Sequence, residues 1–112
     1  MKKFIVLYMA KSEDFKKMME RMKDVSQEEQ KASMQEWKSW AESCGMVDMG
    51  AGLGKTKKVT PEGATDISNE IGGYSFIEAE SHEDAAEKMK SSPHFKMMPG
   101  GWIELMEVMP ME

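Results

Sequence analysis

Ile71-Gly72-Gly73-Tyr74-Ser75-Phe76-Ile77-Glu78-Ala79-Glu80 runs without a break into Ser81-His82-Glu83-Asp84-Ala85-Ala86. A Gly-Gly entry followed by Tyr, Phe and Ile reads as a strand, and a serine opening an acidic, alanine-rich segment reads as a capped helix. A strand delivered directly into a helix restricts the chain to architectures that mix the two.

The rest of the chain extends that pattern. Lys3 to Met9 is β-branched and aromatic with no breaker inside. Phe4, Val6 and Tyr8 point to one side of it and Ile5, Leu7 and Met9 to the other. Both faces are apolar, so both need a cover. Ser12 is placed to cap a short helix with Phe15, Met18, Met19 and Met22 on one face, ending near Asp24-Val25. Ser26 with Glu29 forms a capping box for a longer helix to about Ser43, with Gly45 just past its end. Its apolar stripe is Met34, Trp37, Ala41 and Cys44, with Trp40 beside it. Met46 to Leu53 reads as a strand whose glycines, Gly50, Gly52 and Gly54, mark twist or close approach. Lys55 to Glu70 is polar, with Pro61 and Gly63 as turn formers and Lys58-Val59-Thr60 as a brief strand. After the Ser81 helix comes Pro93, then the turn Pro99-Gly100-Gly101 and a last strand, Trp102 to Met109.

This order predicts an α+β, ferredoxin-like split βαβ fold, with one antiparallel sheet and its helices on one face. The helices then cover one side of a sheet whose strands are apolar on both. A second copy is the expected cover, giving a homodimer with the two sheets face to face.

At 112 residues the chain is expected to form a single domain, 1–112. A net charge of −5 argues against nucleic-acid and anionic-membrane partners, and the lysines at 55, 57 and 58 read as a solvated loop. No apolar run reaches membrane-spanning length, and the amino terminus lacks the h-region of a signal peptide. The lone Cys44 fits a reducing cytoplasm. Fourteen methionines invite a soft-metal reading, but Met18, Met19, Met22, Met34 and Met89 fall at helical apolar positions, so they are expected to fill core volume. No metal or other cofactor is expected.

The residues resemble the YCII-related superfamily of dimeric α+β barrels, and within it the DGPF-domain branch. The resemblance rests on Val59-Thr60, Ile71-Gly72-Gly73-Tyr74, Asp84-Ala85-Ala86, Ser92-Pro93-His94 and Gly101-Trp102-Ile103-Glu104-Leu105. Trp37 and Gly45-Met46-Val47 match the family's junction of helix and strand. The resemblance implies a dimer of ferredoxin-like subunits with a cleft between sheet and helices or at the interface. It also implies either an enzyme or a module linked to transcription. Two departures are plain. Pro61-Glu62-Gly63-Ala64 stands where the branch carries Asp-Gly-Pro-Phe, and Ser33 and Ser43 stand where a His and an Asp would form the YCII dyad.

Gly54-Lys55-Thr56 ends like a phosphate-binding loop, but Met49 occupies the position of its first glycine and no helix is predicted to follow. His94, beyond Pro93, is placed to serve as a general acid or base, or as a structural cap of the preceding helix. Asp48 is a strand carboxylate that could face a cleft as a base, or face solvent at a sheet edge. Tyr8, Trp37 and Tyr74 could line an apolar pocket, or belong to the core and the interface. The expected function is therefore the binding of a small organic molecule in a cleft lined by Tyr8, Trp37 and Tyr74. Cofactor-free acid–base chemistry from His94 or Asp48 would be its enzymatic form. The competing reading is a non-catalytic accessory module acting through protein contacts.

Overall fold

A computed structural model describes residues 1–110. Its elements are β1 (Lys2–Met9), α1 (Ser12–Met22), α2 (Gln27–Ser43), β2 (Met46–Gly52), β3 (Thr56–Thr60), β4 (Gly63–Ile67), β5 (Ile71–Ala79), α3 (His82–Met89), α4 (His94–Met97) and β6 (Trp102–Glu107). Four strands form one sheet in the order β2-β5-β1-β6, and every neighbouring pair is antiparallel. With the β3–β4 hairpin set aside as an insertion, this is the ferredoxin-like α+β fold.

The register divides the sheet into two faces. Phe4 lies opposite Ile77, Val6 opposite Ser75 and Leu105, and Tyr8 opposite Gly73 and Ile103. This inner face takes the helices: Phe4, Val6, Tyr8, Ile77 and Ala79 pack with Trp40 of α2, with Cys44 at its C-terminal cap, and with Ala85 and Met89 of α3. The alternate residues Ile5, Leu7, Tyr74 and Phe76 point outward and remain half-buried. Their in-plane neighbours shield them in part, and the shortest principal extent of 21 Å leaves room for one sheet and one helix layer.

Local chemistry explains where the elements begin and end. The Ser26 hydroxyl accepts from the Glu29 N–H at 3.2 Å and that of Ser81 from the Asp84 N–H at 3.0 Å, satisfying first-turn donors that a helix leaves open. Gly45 takes φ of +77° directly after α2, which stops the helix and aims the chain into β2. Gly50 sits at φ +65° in an irregular stretch of β2, and a Cβ there would overlap the Tyr74 carbonyl of β5. The close approach expected of the β2 glycines is therefore real at Gly50, whereas Gly54 has nothing near it.

Four expectations are corrected. Ser12 is the first helical residue and not the cap: the Lys11 carbonyl already accepts from Asp14 and Phe15, and no side chain caps α1. The polar segment holds a full hairpin, because Thr56–Thr60 and Gly63–Ile67 pair across the Pro61-Glu62 turn. The stretch after Pro93 is a short helix, α4, in place of a loop. Of the five methionines expected in the core only Met89 is there; Met18 is half-buried, and Met19, Met22 and Met34 are exposed. For Met18, Met19 and Met22 the reason is that no element packs on α1 closely enough to bury any of its residues.

Candidate functional site

Three of the five residues singled out in the sequence meet on the inner side of the sheet. Tyr8 of β1 meets the ring of Trp37 edge-on with centroids 5.3 Å apart, and the His94 ring lies 5.5 Å from that of Tyr8. Trp37 in turn meets Trp40 at 5.6 Å, so the aromatic cluster joins the surface to the core. Strand alternation brings Tyr8 inward, the helical stripe brings Trp37 to it, and the turn at Pro93 brings His94 to it from α4.

The hydrogen bonds fix the protonation of these groups. Ser75 donates its single hydroxyl hydrogen to the Met49 carbonyl at 2.8 Å, so at 2.9 Å it accepts from the Tyr8 phenol. Burial pushes the Tyr8 phenol up to about 12, and it stays neutral. His94 Nε2 lies 2.9 Å from the Met9 carbonyl, which can only accept, so the proton is on Nε2. Burial lowers its basicity below that of an ordinary imidazole, against the opposing pull of backbone hydrogen bonds at Met9 and Trp102. The His94 N–H also reaches the Ser92 hydroxyl at 3.2 Å. His94 is thus a neutral, buried tie between α4 and the end of β1. Gly101 makes room for it, since a Cβ there would stand 3.0 Å from His94 Nε2 and 2.9 Å from the Met9 oxygen.

The other two residues lie on the outer face. Tyr74 packs edge-on against Phe76 at 5.8 Å, and the Lys3 ammonium sits 4.8 Å above the Phe76 ring. Asp48, opposite Phe76 on β2, is exposed and accepts from the Gly50 N–H at 2.8 Å, holding the irregular turn of the strand. A single cleft cannot contain all five residues, because the sheet itself separates Tyr74 and Asp48 from Tyr8, Trp37 and His94.

Above Trp37 a cleft of about 460 Å³ opens between α1 and α2. Its apolar lining comes from Met18 and Met22 of α1, Val25 in the link between the helices, Met34 and Trp37 of α2, and Met97 of α4. Its polar lining is Arg21, Gln30, Ser33 and Lys96. The short helix α4 is tied to both walls: the Trp37 indole donates to Met97 Sδ at 3.0 Å and Arg21 donates to the Met97 carbonyl at 3.3 Å. A second cavity of about 730 Å³, which shares Met18 and Met22 with the first, lies between α1 at Phe15 and Met19 and the base of the hairpin at Leu53 and Ile67. The methionines of α1 are thus cleft walls, and Arg21, Met97 and Lys96 are site residues that the motif reading passed over. For Arg21 the signal was its place on an amphipathic helix beside the methionine-rich stripe, whereas nothing local marked Lys96 or Met97.

Among the described residues lining the cleft there is no carboxylate, imidazole or thiol. The Cys44 thiol is buried in the core, bonded to the Ala41 carbonyl at 3.5 Å and pushed up by burial. No group of three or more His, Cys, Asp or Glu among the described residues could hold a metal ion. No described helix is long and apolar enough to cross a membrane. Gly54-Lys55-Thr56 leads into β3, so no helix N-terminus follows it to receive a phosphate. Comparison with protein-family models and with curated proteins finds no match to this chain.

Proposed function

We propose that this protein is a homodimeric, YCII-like α+β barrel that binds a small organic molecule in the cleft between α1 and α2, within a reducing cytoplasm. The observation that carries the binding role is the cleft itself, with an apolar wall and an aromatic wall meeting over Trp37. Its size and its few polar groups suit a small ligand. The reading stops at binding. His94 and the Tyr8 phenol are neutral and already bonded, and Asp48 lies across the sheet, so the groups expected to do acid–base work are not arranged to share a substrate.

Native mass spectrometry of freshly purified protein, with light scattering, tests both parts. A dimer carrying an extra small mass supports the reading; a bare protein that no small-molecule panel stabilises against heat would reject the binding role. The β3–β4 hairpin favours a second reading, an accessory module acting through protein contacts. All but one of its strand residues are exposed, Val59 is 75% accessible, and an isolated two-stranded hairpin has little stability of its own. Co-purification of a protein partner at fixed stoichiometry, lost on trimming the hairpin, would select that reading.

A further inference from the structure

We infer that the ligand of the α1–α2 cleft is a small organic anion, an aromatic or similarly flat carboxylate whose ring lies against Trp37 and whose charge is held by Arg21 and Lys96. The inference rests on the binding role proposed above and names its chemical class. The apolar half follows from the wall. Trp37 has its indole N–H tied to Met97 and packs edge-on with Tyr8 and Trp40, so it is held as a fixed surface. Met18, Met22 and Met34 surround it with thioethers, which adapt to irregular shapes and contact aromatic rings favourably.

The anionic half follows from charge. The protein is net negative, at −5, yet the charged residues lining the cleft are both cations. Among the described residues Arg21 has no carboxylate partner within ion-pair distance. Its one hydrogen bond to the Met97 carbonyl leaves most of its guanidinium fork free for a bidentate carboxylate. Lys96 pairs with Glu36 at 3.6 Å, with both side chains well exposed. Such a pair is weak, and a ligand carboxylate can replace it. Gln30 and Ser33 add neutral donors nearby.

The test uses 1-naphthoate and its neutral counterpart 1-naphthamide on the intact protein, with affinity from calorimetry and location from methyl-labelled methionine NMR. We expect naphthoate to shift the methyls of Met18, Met22, Met34 and Met97 and to bind at least about tenfold more tightly than the amide. The preference should disappear in the double variant Arg21→Gln, Lys96→Gln, whose substitutions lie on exposed side chains. Equal affinities at the cleft methyls would overturn the anion assignment and leave the binding role standing. A preference that survives in the double variant would overturn the roles of Arg21 and Lys96. Shifts of none of these methyls with either probe would reject the cleft as a binding site, and the inference with it.

Discussion

His94 shows how far a residue's environment decides its role. The sequence placed an imidazole in a turn, where either catalysis or structure could use it; its carbonyl partner and its burial select structure. The consequence is a defined pH dependence. Because the folded-state value lies below the ordinary value near 6.5, the unfolded chain binds the proton more readily. The stability that His94 contributes is therefore present above the ordinary value near 6.5 and is lost as pH falls from there through the lower folded-state value. Urea unfolding of the wild type and of His94→Gln at pH 7.5 and pH 5 should show a smaller acid loss in the variant; parallel losses would mean that His94 is not the buried neutral group described. The Tyr8–Ser75–Met49 chain gives a second contrast. Ser75→Ala leaves the buried Tyr8 hydroxyl without a partner and should cost about 1–3 kcal/mol, whereas Tyr8→Phe leaves Ser75 bonded to Met49 and should cost about 1 kcal/mol. Denaturation midpoints that reverse this order would refute the donor assignment.

At the level of elements, helix caps and strand alternation were readable and packing partners were not. Ser26, Ser81, Gly45 and the inward set Phe4, Val6 and Tyr8 follow from local rules, because each depends only on residues a few positions away. The methionines of α1 could not be assigned in that way, since burial depends on how closely other elements pack, and none packs closely enough to bury a residue of α1. The hairpin was half readable. Thr and Val flank a Pro-Glu-Gly turn on one side and Ala, Thr and Ile on the other, yet its polarity made it look like a loop. The difference between α1 and its neighbours can be measured. Ser81→Ala removes a hydroxyl that caps α3 and should cost about 1 kcal/mol, while Ser12→Ala removes no cap and should change stability by less than about 0.5 kcal/mol. Amide exchange should be fastest in α1 among the three longer helices, because its apolar contacts are fewest. Protection of α1 equal to that of α2 would imply a packing partner that a single subunit does not supply.

The whole molecule exposes more than a chain of its mass ordinarily does. Its accessible surface is 8197 Å², whereas a folded monomer of this mass exposes roughly 6,200 Å². Its radius of gyration is 15.5 Å, against roughly 13 Å for a compact domain of this length. The excess of about 2,000 Å² is larger than the ~800 Å² that each partner gives to a standard interface; the hairpin, with all but one of its strand residues exposed, and α1, none of whose residues is buried, contribute to it. The outer face with Ile5, Leu7, Tyr74 and Phe76 is half-buried in the single subunit. That face is what a second copy would cover in the proposed dimer. Leu7 is the place to test it. It lies on a central strand, opposite Glu104 of β6, so a lysine there finds an acidic neighbour in the free subunit. In a face-to-face dimer the same ammonium would be forced against apolar surface. Leu7→Lys should therefore keep its circular dichroism while its dimer dissociation constant rises at least about a hundredfold, equivalent to about 2.7 kcal/mol, measured by sedimentation. If Leu7→Lys stays dimeric at the wild-type midpoint, the outer face is not the interface.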